Sequence, residues 1–184
     1  FVVQNITEES KEVIYAYGME LLISDVLNTI IVLLIALFSH TLPAVVVFIA
    51  VFMGLRQFVG GFHANSHLSC MFTLVMVMMV FSYGICNVSG HITPIFSISF
   101  IMIALPIILC IAPVPHPNKP MSEEKSVKLR KRSCILAVTL SVVTIALLVF
   151  QYQKLSLYVS SGMLLSAIMA LLGHFLNRGD NSKR

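Results

Sequence analysis

Residues 92–112, ITPIFSISFIMIALPIILCIA, run for twenty-one positions without a charged side chain. A helix needs about 20 predominantly apolar residues to cross a bilayer, so this stretch suffices on its own. Working outward, further apolar runs occupy 19–38, 42–55, 68–85, 134–150 and 156–176. Six spans is the simplest count. The run at 42–55 is short and opens at Pro43, which is compatible with a tilted or re-entrant segment, and the first two runs together could form a hairpin that does not fully cross. The expected fold is an all-α polytopic transmembrane bundle of four to six spans, a single integral membrane domain over residues 1–184.

Composition agrees. Of 184 residues, 58% are hydrophobic and 11% charged, against about 45–50% and about 25% in soluble domains. With 10 Met, 12 Phe and no Trp, the chain has neither the charge of a disordered or nucleic-acid-binding protein nor the repeat of a collagen. Four cysteines, at 70, 86, 110 and 134, show no paired spacing, and Cys86, Cys110 and Cys134 read as inert packing thiols. Residues 1–18 form a polar leader with Glu8, Glu9, Lys11 and Glu12, and Val13, Ile14 and Tyr17 fall on one side. This is the pattern of a short amphipathic helix on a membrane surface, not of a cleavable signal with a basic start.

The net charge of +4 matters less than where the cations sit, because cytoplasmic connections collect Lys and Arg. With both termini inside, Lys11, Arg56, Lys119, Lys125, Lys128, Arg130, Lys131, Arg132, Arg178, Lys183 and Arg184 are cytoplasmic, and Lys154 alone is outside. Segment 56–67 then faces the cytoplasm.

That segment is where chemistry concentrates. It reads Arg56-Gln57-Phe58-Val59-Gly60-Gly61-Phe62-His63-Ala64-Asn65-Ser66-His67-Leu68-Ser69-Cys70 and joins a thiol, two imidazoles and a guanidinium. A thiolate is a nucleophile, and a neighbouring His both generates and stabilises it. In one straight helix, seven residues separate His63 from Cys70 by about 10.5 Å, too far for a hydrogen bond. The pair therefore requires His63 to fold back from a turn at Gly60 and Gly61 over a helix carrying Cys70 and capped by Asn65 or Ser66.

Blander readings stand beside this one. A Cys in an apolar helix is usually a small buried hydrophobe, and spacing alone favours that reading. His63, His67 and Cys70 also share one helix face as a possible metal trio, although no Glu follows His63 as a metalloprotease helix requires. Arg56 at a helix end either snorkels to the headgroups or holds a substrate carbonyl or carboxylate. Asp25, on one face with Ser24 and Asn28, is a candidate partner for His63 or an ordinary boundary residue, and His91, His116 and His174 carry no pattern. The connection 113–133 begins with four prolines and ends in basic residues, a stop signal that also attracts anionic lipid or an acidic peptide.

Arg56-(x)3-Gly60-Gly61-Phe62-His63-Ala64, with Cys70 seven residues after the His, is followed two spans later by Ala112-Pro113-Val114 and Asn118-Lys119-Pro120 before a basic stretch. In these motifs, and in length and hydropathy order, the chain resembles the accessory gene regulator B (AgrB) family, bacterial membrane cysteine endopeptidases of quorum sensing. The resemblance implies that Cys70 attacks the peptide bond before the acidic tail of an AgrD-like propeptide while His63 acts as base. The tail leaves, a thioester acyl-enzyme remains, and a thiol or hydroxyl of the peptide closes a thiolactone or lactone ring. Arg56, Gly60 and Gly61 support the site, and Lys119, Lys125, Lys128, Arg130, Lys131 and Arg132 are candidates to hold the acidic tail. The group orienting His63 is unassigned among Asp25, Glu20, Gln57 and Asn65.

The implied protein is a multi-pass component of the bacterial cell membrane with its active site at the cytoplasmic face. Its partners are the propeptide, membrane lipids and, by resemblance, a second copy in a homodimer; nucleic acid, metal and cofactor have no part. Two rivals are a small peptide exporter, which needs polar faces in several spans, and a metal-dependent membrane enzyme using His63, His67 and Cys70.

Overall fold

A computed structural model describes residues 29–60, 80–114 and 123–181, together with positions 19, 23, 26, 27, 76 and 77. The described residues are helical apart from turns and one isolated backbone bridge. In chain order the elements are α1 (Thr29–Phe38), α2 (Leu42–Val59), a π-helical turn (Phe81–Ile85), α3 (Thr93–Ile111), α4 (Glu123–Val149) and α5 (Gln153–Asn181). Four of these, over Leu42–Val59, Thr93–Ile111, Ser126–Val149 and Gln153–Phe175, are long and apolar enough to cross a membrane. The leader 1–18 and most of the runs at 19–28 and 68–79 lie outside the described residues, among which these four spans are counted.

Two of the boundaries that differ from the apolar runs have a clear local reason. Helix α2 continues past Leu55 to Val59 and reaches 18 residues, taking in Arg56 and Gln57. A cation in the last turn suits the negative end of the helix dipole, so these polar residues extend the helix instead of ending it. Helix α4 starts at Glu123, eleven residues before the apolar run, so the basic half of the 113–133 connection is helical. Acidic residues at its start and Lys and Arg behind them are strong helix formers, and Lys128 donates to Glu124 at 2.6 Å, one turn apart. At 27 residues, α4 is about 40 Å long, roughly 10 Å more than the hydrocarbon layer, so its basic turns stand at or beyond the headgroups.

Helix α5 is the hub: it packs against α2, α3 and α4, and 56% of its apolar window is buried, against 22–33% for the other three. Small residues allow this. A methyl on Gly162 would lie 3.0 Å from the Phe48 carbonyl oxygen and 3.1 Å from Val51 Cβ, so α2 and α5 touch backbone to backbone there. One turn on, the Ser166 hydroxyl donates to the Gly162 carbonyl at 3.0 Å and lies 3.4 Å from the Phe52 carbonyl of α2. Between α3 and α5, the hydroxyls of Ser97 and Ser156 meet at 3.1 Å. This is the small-residue packing that membrane helices use where lipid supplies no hydrophobic drive between them.

Among the described residues the interior forms two clusters. One gathers Val32 and Ala36 of α1, Ala44, Val45 and Phe48 of α2, and Phe81, with the Phe48 and Phe81 rings 4.2 Å apart. The other gathers Leu55 and Val59, Ala104, Ile108, Ala112 and Val114, Ala137, and Met163, Ala167 and Ala170. The second cluster sits where α2 and α3 both end. Long apolar side chains such as Met102, Ile103, Val142 and Val149 point outward, as a lipid-facing surface requires.

Candidate active site

The end of α2 is built by three residues. Arg56, half-buried in its last turn, lays its guanidinium over the Phe52 ring, 5.5 Å from the centroid, a cation–π contact that holds the group near the protein. The Arg56 carbonyl accepts the Gly60 N–H at 3.0 Å, closing the helix. Gly60 then takes φ 73° and ψ −154°, a region that is essentially glycine's alone.

Opposite it stands the exit of α3. Ala112, capping the helix, is extended at φ −72° and ψ 143°. Two residues on, the Val114 N–H donates to the Val59 carbonyl at 2.9 Å, and Gly60 and Val114 form a parallel bridge. Contact is close enough that a Cβ on Gly60 would lie 2.5 Å from the Val114 carbonyl oxygen. Val59 is fully buried and Val114 only 5% exposed, both within the apolar cluster of that end.

Ala137 of α4 packs into this same cluster, and the first turns of α4 precede it in the chain. There Lys128 is paired with Glu124, whereas Arg130, Lys131 and Arg132 are exposed and have no ion pair among the described residues. At the opposite end, Cys86 follows the π-helical turn; burial pushes its thiol up, and Lys154 only partly offsets this. A raised pKa leaves less of the thiol as thiolate at neutral pH. Cys110 is exposed on α3 and Cys134 half-buried on α4. Among the described residues no three His, Cys, Asp or Glu side chains gather as a metal site.

The family model described as Accessory gene regulator B matches residues 1–170. The chain belongs to the AgrB family. A similar protein is an AgrB-like protein of Clostridium beijerinckii, 24% identical over 116 residues, which are 61% of this chain. The match spans 56% of that relative's own length, little more than half. No solved structure matches the chain.

Of the residues singled out in the sequence of this AgrB-family chain, the structure brings Arg56 and Gly60 together at one helix end. It places Lys128, Arg130, Lys131 and Arg132 on the first turns of α4, and Lys125 falls within the same helix. Gly61, His63, Asn65, Ser66, His67, Cys70 and Lys119 lie outside the described residues, as do Glu20 and Asp25. The expected Cys70–His63 pairing, its capping residue and the rival metal trio fall there as well. Val114 belongs to the Ala112-Pro113-Val114 motif, to which the sequence attaches no role. Its partnership with Gly60 had one faint signal, prolines on both sides that hold the backbone extended and off any helix.

Proposed function

We propose that this protein is a membrane cysteine endopeptidase that removes the C-terminal tail of an AgrD-like propeptide and drives (thio)lactone closure of the released peptide. Membership of the AgrB family supports a role in the agr quorum-sensing system, and the observation that carries the finer reading is the block from Arg56 to Cys70 within the matched region. In this reading His63 takes the Cys70 thiol proton, and the thiolate attacks the carbonyl before the tail. The amide bond breaks, the tail leaves as an amine carrying the proton from His63, and the peptide is held as a thioester.

A thiol or hydroxyl of the peptide then gives its proton to His63 and adds to the thioester carbonyl, and Cys70 departs as thiolate beside the imidazolium. Exchange of thioester for thioester or ester needs no ATP, provided water is kept from the acyl-enzyme. An active site on the cytoplasmic boundary of an apolar bundle meets that condition and receives a substrate arriving along the inner leaflet. The exposed Arg130, Lys131 and Arg132 suit the acidic tail and anionic lipid, and a homodimer completes the reading.

The test is propeptide processing in vesicles by the wild type, Cys70→Ala, His63→Ala and His67→Ala, read by peptide mass. Loss of the tail-less product in the first two variants and its retention in His67→Ala is expected. Cleavage by Cys70→Ala would end the peptidase reading, and loss in His67→Ala would favour a metal site.

A further inference from the structure

We propose that the backbone pair joining Val59 and Gly60 to Val114 positions the catalytic segment, with Val114 a positioning residue for the reaction at Cys70. This inference rests on the reading of His63 and Cys70 as the reacting pair. Gly60 immediately precedes Gly61 in the chain, and the His and Cys follow within ten residues. Whatever fixes Gly60 therefore fixes where that segment departs from the bundle.

Two independent constraints meet at this glycine. Its φ of 73° with ψ of −154° excludes other residues, and its α-carbon faces a carbonyl oxygen that leaves no room for a Cβ. An ordinary helix end needs only the first kind of constraint and turns its carbonyls to water. Here the chain is steered into a parallel pairing with a residue more than fifty positions later. That residue is in turn anchored, because Val114 is buried beside Val59, Leu55, Ile108 and Ala112. The pairing thus ties the departure point of the reacting segment to the end of α3 and to the connection that leads into the basic turns of α4.

A nucleophile and base on a segment with a fixed origin lose less freedom on reaching the reactive geometry, and a misplacement of about 1 Å can cost about a hundredfold in rate. Loss of the pair is therefore expected in kcat. Binding of the tail, which uses other residues, is expected to hold.

The experiment measures kcat and KM for the propeptide with the full chain in vesicles. Val114→Pro removes the N–H that Val59 accepts; Gly60→Ala breaks the pair from the other side; the double variant and Val114→Ile complete the set. Each disrupting variant should lower kcat about 10–100-fold with KM changed less than about twofold, the double should fall no further than the worse single, and Val114→Ile should stay near wild type.

A wild-type kcat in Val114→Pro, losses that multiply in the double, or a raised KM at unchanged kcat would each overturn the proposal. Thermal midpoints identify any variant that has not folded. If Val114→Pro is one, Gly60→Ala decides by the same criteria. A Cys70→Ala arm separates the two readings: if it cleaves, the catalytic assignment has failed, whereas an inactive Cys70→Ala beside a fully active Val114→Pro overturns the positioning role alone.

Discussion

Three glycines show how little a residue's identity says without its surroundings. Gly54 on α2 has nothing within 4 Å of the position a Cβ would take, so alanine there gains helix propensity at no steric cost, up to about 1 kcal/mol. Gly162 on α5 meets the Phe48 carbonyl and Val51 at 3.0–3.1 Å, so the same change pushes two helices apart and costs about 1–3 kcal/mol as overpacking does. Thermal unfolding in detergent checks the contrast: Gly162→Ala should melt several degrees lower and Gly54→Ala no lower than wild type. Gly60 stands apart, since conformation and contact both demand glycine. The sequence distinguished Gly60 by its place in a motif, but nothing in it separated Gly54 from Gly162. That difference arises from which helix faces which.

At the scale of elements, the four apolar helices were legible because chain length and hydropathy alone decide whether a helix can span. Their ends were not. Arg56 and Gln57 look like a loop in a hydropathy reading, yet they close α2, and the basic run after Glu123 looks like a connection, yet it forms the start of α4. In both places polar residues with good helix propensity continue a helix beyond the apolar layer, and hydropathy is blind to propensity. The pairing of Gly60 with Val114 was out of reach for another reason, because a bridge between distant residues depends on how α2 and α3 pack.

The helical start of α4 carries its own prediction. Arg130, Lys131 and Arg132 are exposed, so a contact with an acidic tail is screened over about 8–10 Å at physiological salt. Replacing all three with Gln should raise KM for the propeptide at low salt, and the gap from wild type should narrow as salt rises. A kcat loss that ignores salt would assign these residues to folding or topology. Glu124→Gln removes an exposed ion pair and should leave stability within about 0.5 kcal/mol of wild type.

For the whole molecule, the buried hydroxyls define what kind of bundle this is. Ser133, Ser141, Thr144, Ser156, Ser160, Ser161 and Ser166 are all buried, and most donate to carbonyls three or four residues earlier in their own helix. No buried side-chain N or O among the described residues lacks a partner. Hydroxyls bonded within their own helices allow the close packing of the described bundle.

The expected sidedness, with both termini inside, rests on the distribution of cations, with the basic turns at the start of α4 and Lys154 at the start of α5. In a chain cleared of native cysteines, an impermeant thiol label applied to intact cells should reach Ser89→Cys and Tyr152→Cys but not Lys131→Cys. The reverse pattern would invert the bundle and move the proposed site to the outer face.

The central claim is that Cys70 carries the peptide as a thioester, and intact-protein mass spectrometry tests it most directly with a propeptide whose ring-closing thiol or hydroxyl has been replaced by alanine. Deprived of that nucleophile, the acyl-enzyme should accumulate. The wild-type protein should gain the mass of the tail-less peptide less one water, hydroxylamine should remove it, and Cys70→Ala should show no gain. Tail release by Cys70→Ala, or by the wild type with no adduct on any cysteine at early times, would contradict the account.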